Sequence, residues 1–421
     1  MLIRFRDLHP NIKIRIIQTF VSRFVGTLVF PFMAIYLSAH FGKSLTGILL
    51  LFNIIIGMLV GFYGGYYSDK FGRKKIMVTA ETIRFTAFVV MAFANSPFFY
   101  SAIITFLMMT VNSICWGLAN PASQAMLIDV STPEQRKFMY SISYWANNLS
   151  MAIGGAIGAF LFEDYFFELL ICLSVGAFIS LLMIAFFIKE SHAPASAELK
   201  EKKTKQDVIR EIFNNYTVVA KDKIFMIFVL ASMLILSLEM HLTNYIAIRL
   251  EEGMPVQRMF NWEISGVNML GILRTENTIL VVLLAALILR TIKGLDDRKV
   301  LYAGVFLFTA GYSLLTFMNN IWVLVIVMLF VTIGELMRVP VEQSYLASIP
   351  PDNARSSYMA VNGMTFNGSM VIASLSVTLG AWLPPMVMAT LFFATGMVGI
   401  YLYRSIMPEL EQRRNGEVSS F

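Results

Sequence analysis

Long stretches of this chain avoid charge entirely, and short polar clusters separate them. Residues 44–63 hold no Asp, Glu, Lys or Arg, whereas 69–75 hold five charged side chains. An α-helix needs about 20 apolar residues to cross the ~30 Å hydrocarbon layer of a bilayer, which is the length of the uncharged runs. The pattern predicts helices over about 14–39, 44–66, 75–95, 98–121, 138–162 and 165–188. After a polar stretch it predicts six more, over about 223–247, 272–292, 299–318, 321–346, 356–381 and 384–406. The division is an N-terminal six-helix bundle (1–189), a linker (190–222) and a C-terminal six-helix bundle (223–421). In the linker, Val208, Ile212 and Phe213 recur at helical spacing, which fits a short interfacial helix.

Composition agrees with the pattern. Of 421 residues, 57% are hydrophobic and 14% charged, whereas a soluble domain is about one-quarter charged. There are too few charges to coat two or three soluble domains, so the fold class is an all-α polytopic membrane protein. The net charge of +6 is explained by position and does not point to nucleic acid. Basic residues concentrate in alternate connections: Lys70, Arg73, Lys74 and Lys75; Arg136 and Lys137; Lys293, Arg298 and Lys299; Arg355; then Arg413 and Arg414. The other short connections, 95–99, 319–320 and 382–385, carry no charge, and 163–168 is acidic. Basic loops stay in the cytoplasm, so both termini are expected there, with 248–271 a long, partly structured external connection. The apolar run after Arg4, Arg6, Lys13 and Arg15 is too long for a signal-peptide core. Cys115 and Cys172 lie in apolar runs and read as packing residues, with no disulfide or metal spacing.

The two halves share a weak repeat. Residues 120–136 and 339–355 align at an offset of 219, pairing Pro121 with Pro340, Gln124 with Gln343, Leu127 with Leu346 and Arg136 with Arg355. Both segments close the fourth span of their half. Duplicated bundles are a transporter architecture, with the site expected near mid-membrane between the halves.

The stretch GGYYSDKFGRKK, residues 64–75, resembles the loop 2–3 signature of the major facilitator superfamily. Gly65, Asp69, Gly72, Arg73, Lys74 and Lys75 match it, and KGLDDRKVL (293–301) resembles a reduced copy. The resemblance implies a cytoplasmic gate formed by Gly65, Asp69, Gly72 and Arg73. Glycines would let span 2 pack closely, and Asp69 would accept from helix-terminal amides and pair with Arg73. The three lysines read more simply as topology signals. Residues 125–162 and 333–340 further resemble the LmrP-type branch of proton-coupled multidrug exporters, in which membrane carboxylates carry protons. Asp129 and Glu335 match two of its acids, while Ser143 and Thr243 stand where the branch has aspartates. SMAIGGAIGAF resembles the span 5 glycine signature of antiporters without its proline; Gly154 and Gly158 form a small-x-x-x-small pair that permits close helix contact.

Charges inside spans are expensive, roughly 2.5–3.5 kcal/mol each on insertion scales, and so invite functional readings. Glu335, Arg338 and Glu342 share one face of span 10. If a proton or substrate competes for Glu335, Arg338 can change partner to Glu342; the alternative is a static triad. Glu239 is either a second protonatable group or a rim carboxylate, and His241 points to a different side of the helix. Glu81 and Arg84 are spaced to pair with each other. Arg23 has no partner in its own helix and either pairs across the bundle, with Asp129 as one option, or faces a cavity. Trp116, Asn120, Trp145, Asn147 and Met240 are cavity-lining candidates. The 27 methionines and 35 phenylalanines would suit varied apolar ligands, although most must simply pack or face lipid.

The resulting expectation is secondary export of amphipathic compounds, coupled to proton influx by alternating access, with antibiotic resistance as the family implication. The alternatives are a carrier of one defined anionic, lipid-like or sugar solute, served by Arg23 and Arg338, and a transport-inactive membrane sensor. No Walker-type phosphate loop is present, so ATP drive is not expected. Four scattered histidines (His9, His40, His192, His241) and no paired catalytic carboxylates argue against an enzyme. Expected partners are small amphipathic substrates, protons and the lipid bilayer, with no cofactor, no metal and a monomeric state. Family likeness places the protein in a bacterial plasma membrane.

Overall fold

Helix formation follows from the solvent: in hydrocarbon every backbone amide and carbonyl must be satisfied within its own segment. The computed structural model describes residues 5–191, 219–350 and 355–414; the expected linker helix around Val208, Ile212 and Phe213 lies outside them. The chain divides into two compact units, Met1–Leu199 and Lys200–Phe421.

In the first unit, α1 (Pro10–Val29) passes through a 3-10 turn, Phe30–Phe32, into α2 (Met33–Phe71). The 39-residue α2 is two segments joined at Gly42, which takes φ 75° and ψ 158°. The expected connection between the first two spans is therefore a glycine kink, a backbone conformation that other residues adopt only under strain. Then come α3 (Arg73–Phe93), α4 (Ala102–Asp129), α5 (Pro133–Leu161) and α6 (Phe166–Leu182). The uncharged connection after α3 forms a two-residue ladder, β1 (Asn95–Ser96) with β2 (Phe99–Tyr100). Thr132 and Gln135 form a reciprocal capping box that starts α5.

In the second unit, α7 (Lys223–Leu242) breaks at Thr243–Asn244 and resumes as α8 (Tyr245–Gly253). The hairpin β3 (Gln257–Met259) with β4 (Trp262–Ile264) follows, then α9 (Gly266–Ile292), α10 (Asp297–Leu315), α11 (Ile321–Ser348), α12 (Arg355–Leu379) and α13 (Pro385–Arg414). The expected continuous span over 223–247 is thus interrupted, and much of the expected loop 248–271 is α8 plus hairpin. Eight stretches among the described residues are long and apolar enough to cross a membrane, one of them the 62-residue Pro10–Phe71, which contains two passes. With α5, α10 and α12, twelve spans result, in two groups of six.

Helices outrun their apolar runs. The fourth span was expected to end at 121, yet α4 continues through Pro121 to Asp129, and α11 continues through Pro340 to Ser348. Hydropathy marks the lipid boundary, whereas helical hydrogen bonding carries on into polar surroundings. Small residues set the tightest contacts. A Cβ on Gly64 would lie 2.6 Å from the Gly117 carbonyl, joining α2 to α4, and one on Gly334 would lie 2.7 Å from the Gly304 carbonyl, joining α11 to α10. Gly154 and Gly158 press α5 against Phe24, Thr27 and Leu28 of α1, while Gly155 faces open space.

Candidate functional site

Two clusters of polar side chains stand out, one in each unit. The first surrounds the α2–α3 connection. Arg73, buried at the start of α3, donates to Ser68 Oγ at 2.7 Å, pairs with Asp69 and reaches Asp129 Oδ2 at 3.4 Å. Ser191 Oγ donates to the same Asp129 oxygen at 3.2 Å. Asp69 was expected to hold amides at a helix N-terminus as well as Arg73, but that position belongs to Glu190. Its Oε1 accepts from the Arg73 amide and its Oε2 from the Lys74 amide, both at 3.0 Å. A carboxylate here satisfies the free donors of the first turn of α3 and complements the positive end of the helix dipole. Gly72 makes the approach possible: it has φ +96°, and a Cβ there would stand 2.7 Å from Glu190 Oε2. Of the glycines in this stretch, Gly64 makes the tight contact, whereas a Cβ on Gly65 would meet Pro121 only at 4.0 Å.

Asp129 sits at the last position of α4 between Arg73 and Ser191, and not against Arg23. Asn11 bonds Lys189 at the level of Glu190, and Arg23 lies twelve residues further along α1, roughly 18 Å at 1.5 Å per residue. Arg23 is exposed on α1. Glu81 and Arg84 do pair, and Arg84 also donates to Ser22 Oγ at 3.3 Å.

The second cluster lies inside the second unit. On α11, Arg338 bonds Glu342 at 2.8 Å and lies over the Phe308 ring, its guanidinium carbon 4.4 Å from the centroid. Glu335 is half-buried and, among the described residues, forms no ion pair with an arginine. Its Oε2 accepts from Asn277 Nδ2 of α9 at 2.9 Å, and the same nitrogen reaches Thr332 Oγ1 at 3.1 Å. Thr332, fully buried one turn before Glu335, donates its own proton to the Met328 carbonyl at 2.9 Å. Glu239, half-buried on α7, lies within electrostatic reach of Glu335, Arg338 and Arg274. Its position one turn before the break at Thr243–Asn244 is of the kind seen where spans are discontinuous around a binding site. His241 belongs to the packing: its Nδ1 is 3.0 Å from Ser376 Oγ and its ring stacks on Phe392 at 3.8 Å between centroids.

Of the residues read from the sequence, Glu239, Glu335, Arg338 and Glu342 come together, and Asp69, Gly72, Arg73 and Asp129 come together elsewhere. The cavity candidates do not converge within one unit. Trp116 and Trp145 are exposed, Asn120 and Asn147 are half-buried, all four in the first unit, whereas Met240 is half-buried in the second. Sequence reasoning passed over Glu190, Ser191, Arg274, Asn277 and Thr332. Arg274 carried a signal, a basic residue within an apolar span; a neutral Asn or Thr leaves almost none. Among the described residues no group of three His, Cys, Asp or Glu side chains could hold a metal ion.

Comparison with known proteins adds three findings. The Major Facilitator Superfamily profile matches residues 16–274. A Na(+), Li(+), K(+)/H(+) antiporter of Planococcus maritimus is 30% identical over 390 residues, covering 90% of this chain and 91% of that one, and the multidrug resistance protein MdtH of Yersinia pestis is 23% identical over 404 residues, covering 92% and 91%. A crystal structure of a peptide transporter in complex with sulfate superposes with a TM-score of 0.73 at 14% identity, covering 98% of this chain and 96% of the other; it shows likeness of fold alone.

Proposed function

The chain belongs to the major facilitator superfamily, and from that membership we propose that this membrane transporter exports a cation in exchange for an entering proton, with Glu335 as the exchange acid. The observation that carries the reading is the partner of Glu335. It is held by a neutral amide, while the nearest arginine on its helix is committed to Glu342. A carboxylate held by a neutral amide in a membrane span is open to protonation from one side and to a cation from the other. Protonation and cation binding then bias the two access states in opposite directions. Glu239 is a second proton-handling group in the same cluster. Arg338 and Glu342 hold the local charge in place, and a rearrangement of Arg338 from Glu342 to Glu335 would accompany the change of access. Asp69, Gly72 and Arg73, with Asp129 and Glu190, form a gate on the cytoplasmic side of a bacterial plasma membrane; the basic loops support that side.

Two relatives support an exchange reading in different ways, one named for alkali cations and protons and one for multidrug resistance. Export of amphipathic organic cations is the second reading. It is favoured by exposed aromatic side chains on α4 and α5, namely Trp116, Tyr144 and Trp145 at 52%, 66% and 63% exposure. An anionic cargo is less well served, because Arg338 already has its carboxylate.

Reconstituted protein should move protons when sodium, lithium or tetraphenylphosphonium is added across liposomes carrying a pH-sensitive dye. Glu335→Gln, a permanent mimic of the protonated acid, should slow this at least tenfold. Wild-type rates in that variant would remove Glu335 from the mechanism.

A further inference from the structure

Two helices bring three oxygen-bearing side chains to one point in the second unit. Thr332 and Glu335 are neighbours one turn apart on α11, and Asn277 reaches them from α9. The Thr332 hydroxyl has given its hydrogen to Met328 O, so toward Asn277 it can only accept. Glu335 Oε2 likewise accepts. The amide nitrogen of Asn277 is therefore the electropositive group that two oxygens share. A 180° rotation of the amide puts Oδ1 there instead, and three oxygens then converge with no proton between them. With Glu335 ionised, such a set is stable only around a cation.

We infer that Thr332, Asn277 and Glu335 form a binding site for a dehydrated alkali-metal cation, with the Asn277 amide nitrogen-inward when the site is empty and oxygen-inward when it holds the metal. The inference rests on the exchange reading above and names its cargo. Ligand chemistry sets the class of ion. A carboxylate, an amide carbonyl and a hydroxyl are hard oxygen donors that replace water around a small hard cation. An organic cation gains little from them.

Charge sets the valence. The groups in electrostatic reach are Glu239 on α7, Arg274 on α9, Tyr312 on α10, and Arg338 and Glu342 beside Glu335 on α11, with Tyr403 of α13 beside Arg338 and Glu342. With Glu239, Glu335 and Glu342 all ionised against the two guanidiniums, one negative charge is left. One proton or one monovalent cation neutralises it, and a divalent ion would reverse it inside the membrane. Competition between proton and metal follows directly, because the ligand must lose its proton to bind.

The test uses the purified full chain in weak buffer with a pH indicator, titrated with sodium or lithium chloride against choline chloride. Expected is saturable release of about one proton per chain by Na+ or Li+ and none by choline, since one acid exchanges one ion. Thr332→Val, which keeps shape and removes the oxygen, should raise the half-saturating concentration at least tenfold, and Thr332→Ser should restore it. Asn277→Asp should tighten binding by adding charge to the same shape, which supplies a reading if Thr332→Val fails to stay monodisperse. Unchanged half-saturation in Thr332→Val or in Asn277→Asp overturns the inference. Saturable release by tetraphenylphosphonium with none by Na+ or Li+ also overturns it, while leaving the exchange reading in place. No release by any cation from monodisperse protein overturns both.

Discussion

Gly72 shows how one backbone conformation can decide a site. Its φ of +96° is disfavoured for any residue with a Cβ, and the Glu190 carboxylate occupies the space a Cβ would need. Holding an L-residue in this glycine-favoured region costs roughly 1–3 kcal/mol, before Glu190 is displaced from the Arg73 and Lys74 amides. Gly72→Ala should therefore lower the thermal unfolding temperature of purified protein and slow transport. Gly65→Ala, with its nearest contact at an ordinary 4.0 Å, should be close to silent in the same assays. Equal effects of the two changes would show that motif glycines act generically. Much of this cluster was legible, because Gly72, Asp69 and Arg73 lie within five residues of one another. Glu190 was not, since it reaches the same amides from more than a hundred residues away and follows no local spacing. Asn277 and Thr332 escaped for a different reason: neutral side chains scarcely perturb the hydrophobic pattern, and only packing of α9 on α11 reveals what they touch.

At the scale of elements, Asp222 ties three helices of the second unit. It caps α7 by accepting from the Phe225 amide at 3.1 Å, accepts from Arg413 of α13 at 2.7 and 3.0 Å, and accepts from the Tyr358 hydroxyl of α12 at 2.9 Å. Burial alone would raise its pKa. The Arg413 hydrogen bonds, the amide and the hydroxyl outweigh burial and hold it below the usual carboxylate value. A depressed folded pKa contributes stability that is complete above the unfolded value, near 3.9, and is lost as pH falls through the lower folded value. Wild-type protein should thus lose more thermal stability below about pH 4 than Asp222→Asn, which starts lower and stays flatter. Parallel curves would mean that Asp222 is not the group titrating. Arg413→Ala should be the harsher change, approaching roughly 3 kcal/mol, because it leaves a largely buried carboxylate unpaired. The helices themselves were largely readable from charge-free runs. The Thr243–Asn244 break was not, because no charge interrupts the run there; at Gly42 the pattern marks a boundary between spans, and only backbone geometry shows that the boundary is a kink without a loop.

At the scale of the molecule, the balance of charge in the second unit bears on how exchange couples to membrane potential. Glu239, Glu335 and Glu342 face Arg274 and Arg338. If one proton and one monovalent cation take turns in neutralising the single excess negative charge, both loaded forms are electrically identical. Each full cycle then moves no net charge. A second proton, taken by Glu239 in the same cycle, would make the cycle carry one charge inward. The difference is large enough to measure, since one elementary charge across 100 mV amounts to about 2.3 kcal/mol, roughly 50-fold in an equilibrium. Proteoliposomes loaded with sodium and given a potential through a permeant anion should therefore reach the same final pH difference at any potential. A final gradient that shifts systematically with the imposed potential would require Glu239 to exchange its proton too, and Glu239→Gln should then abolish the shift while leaving exchange at Glu335 intact.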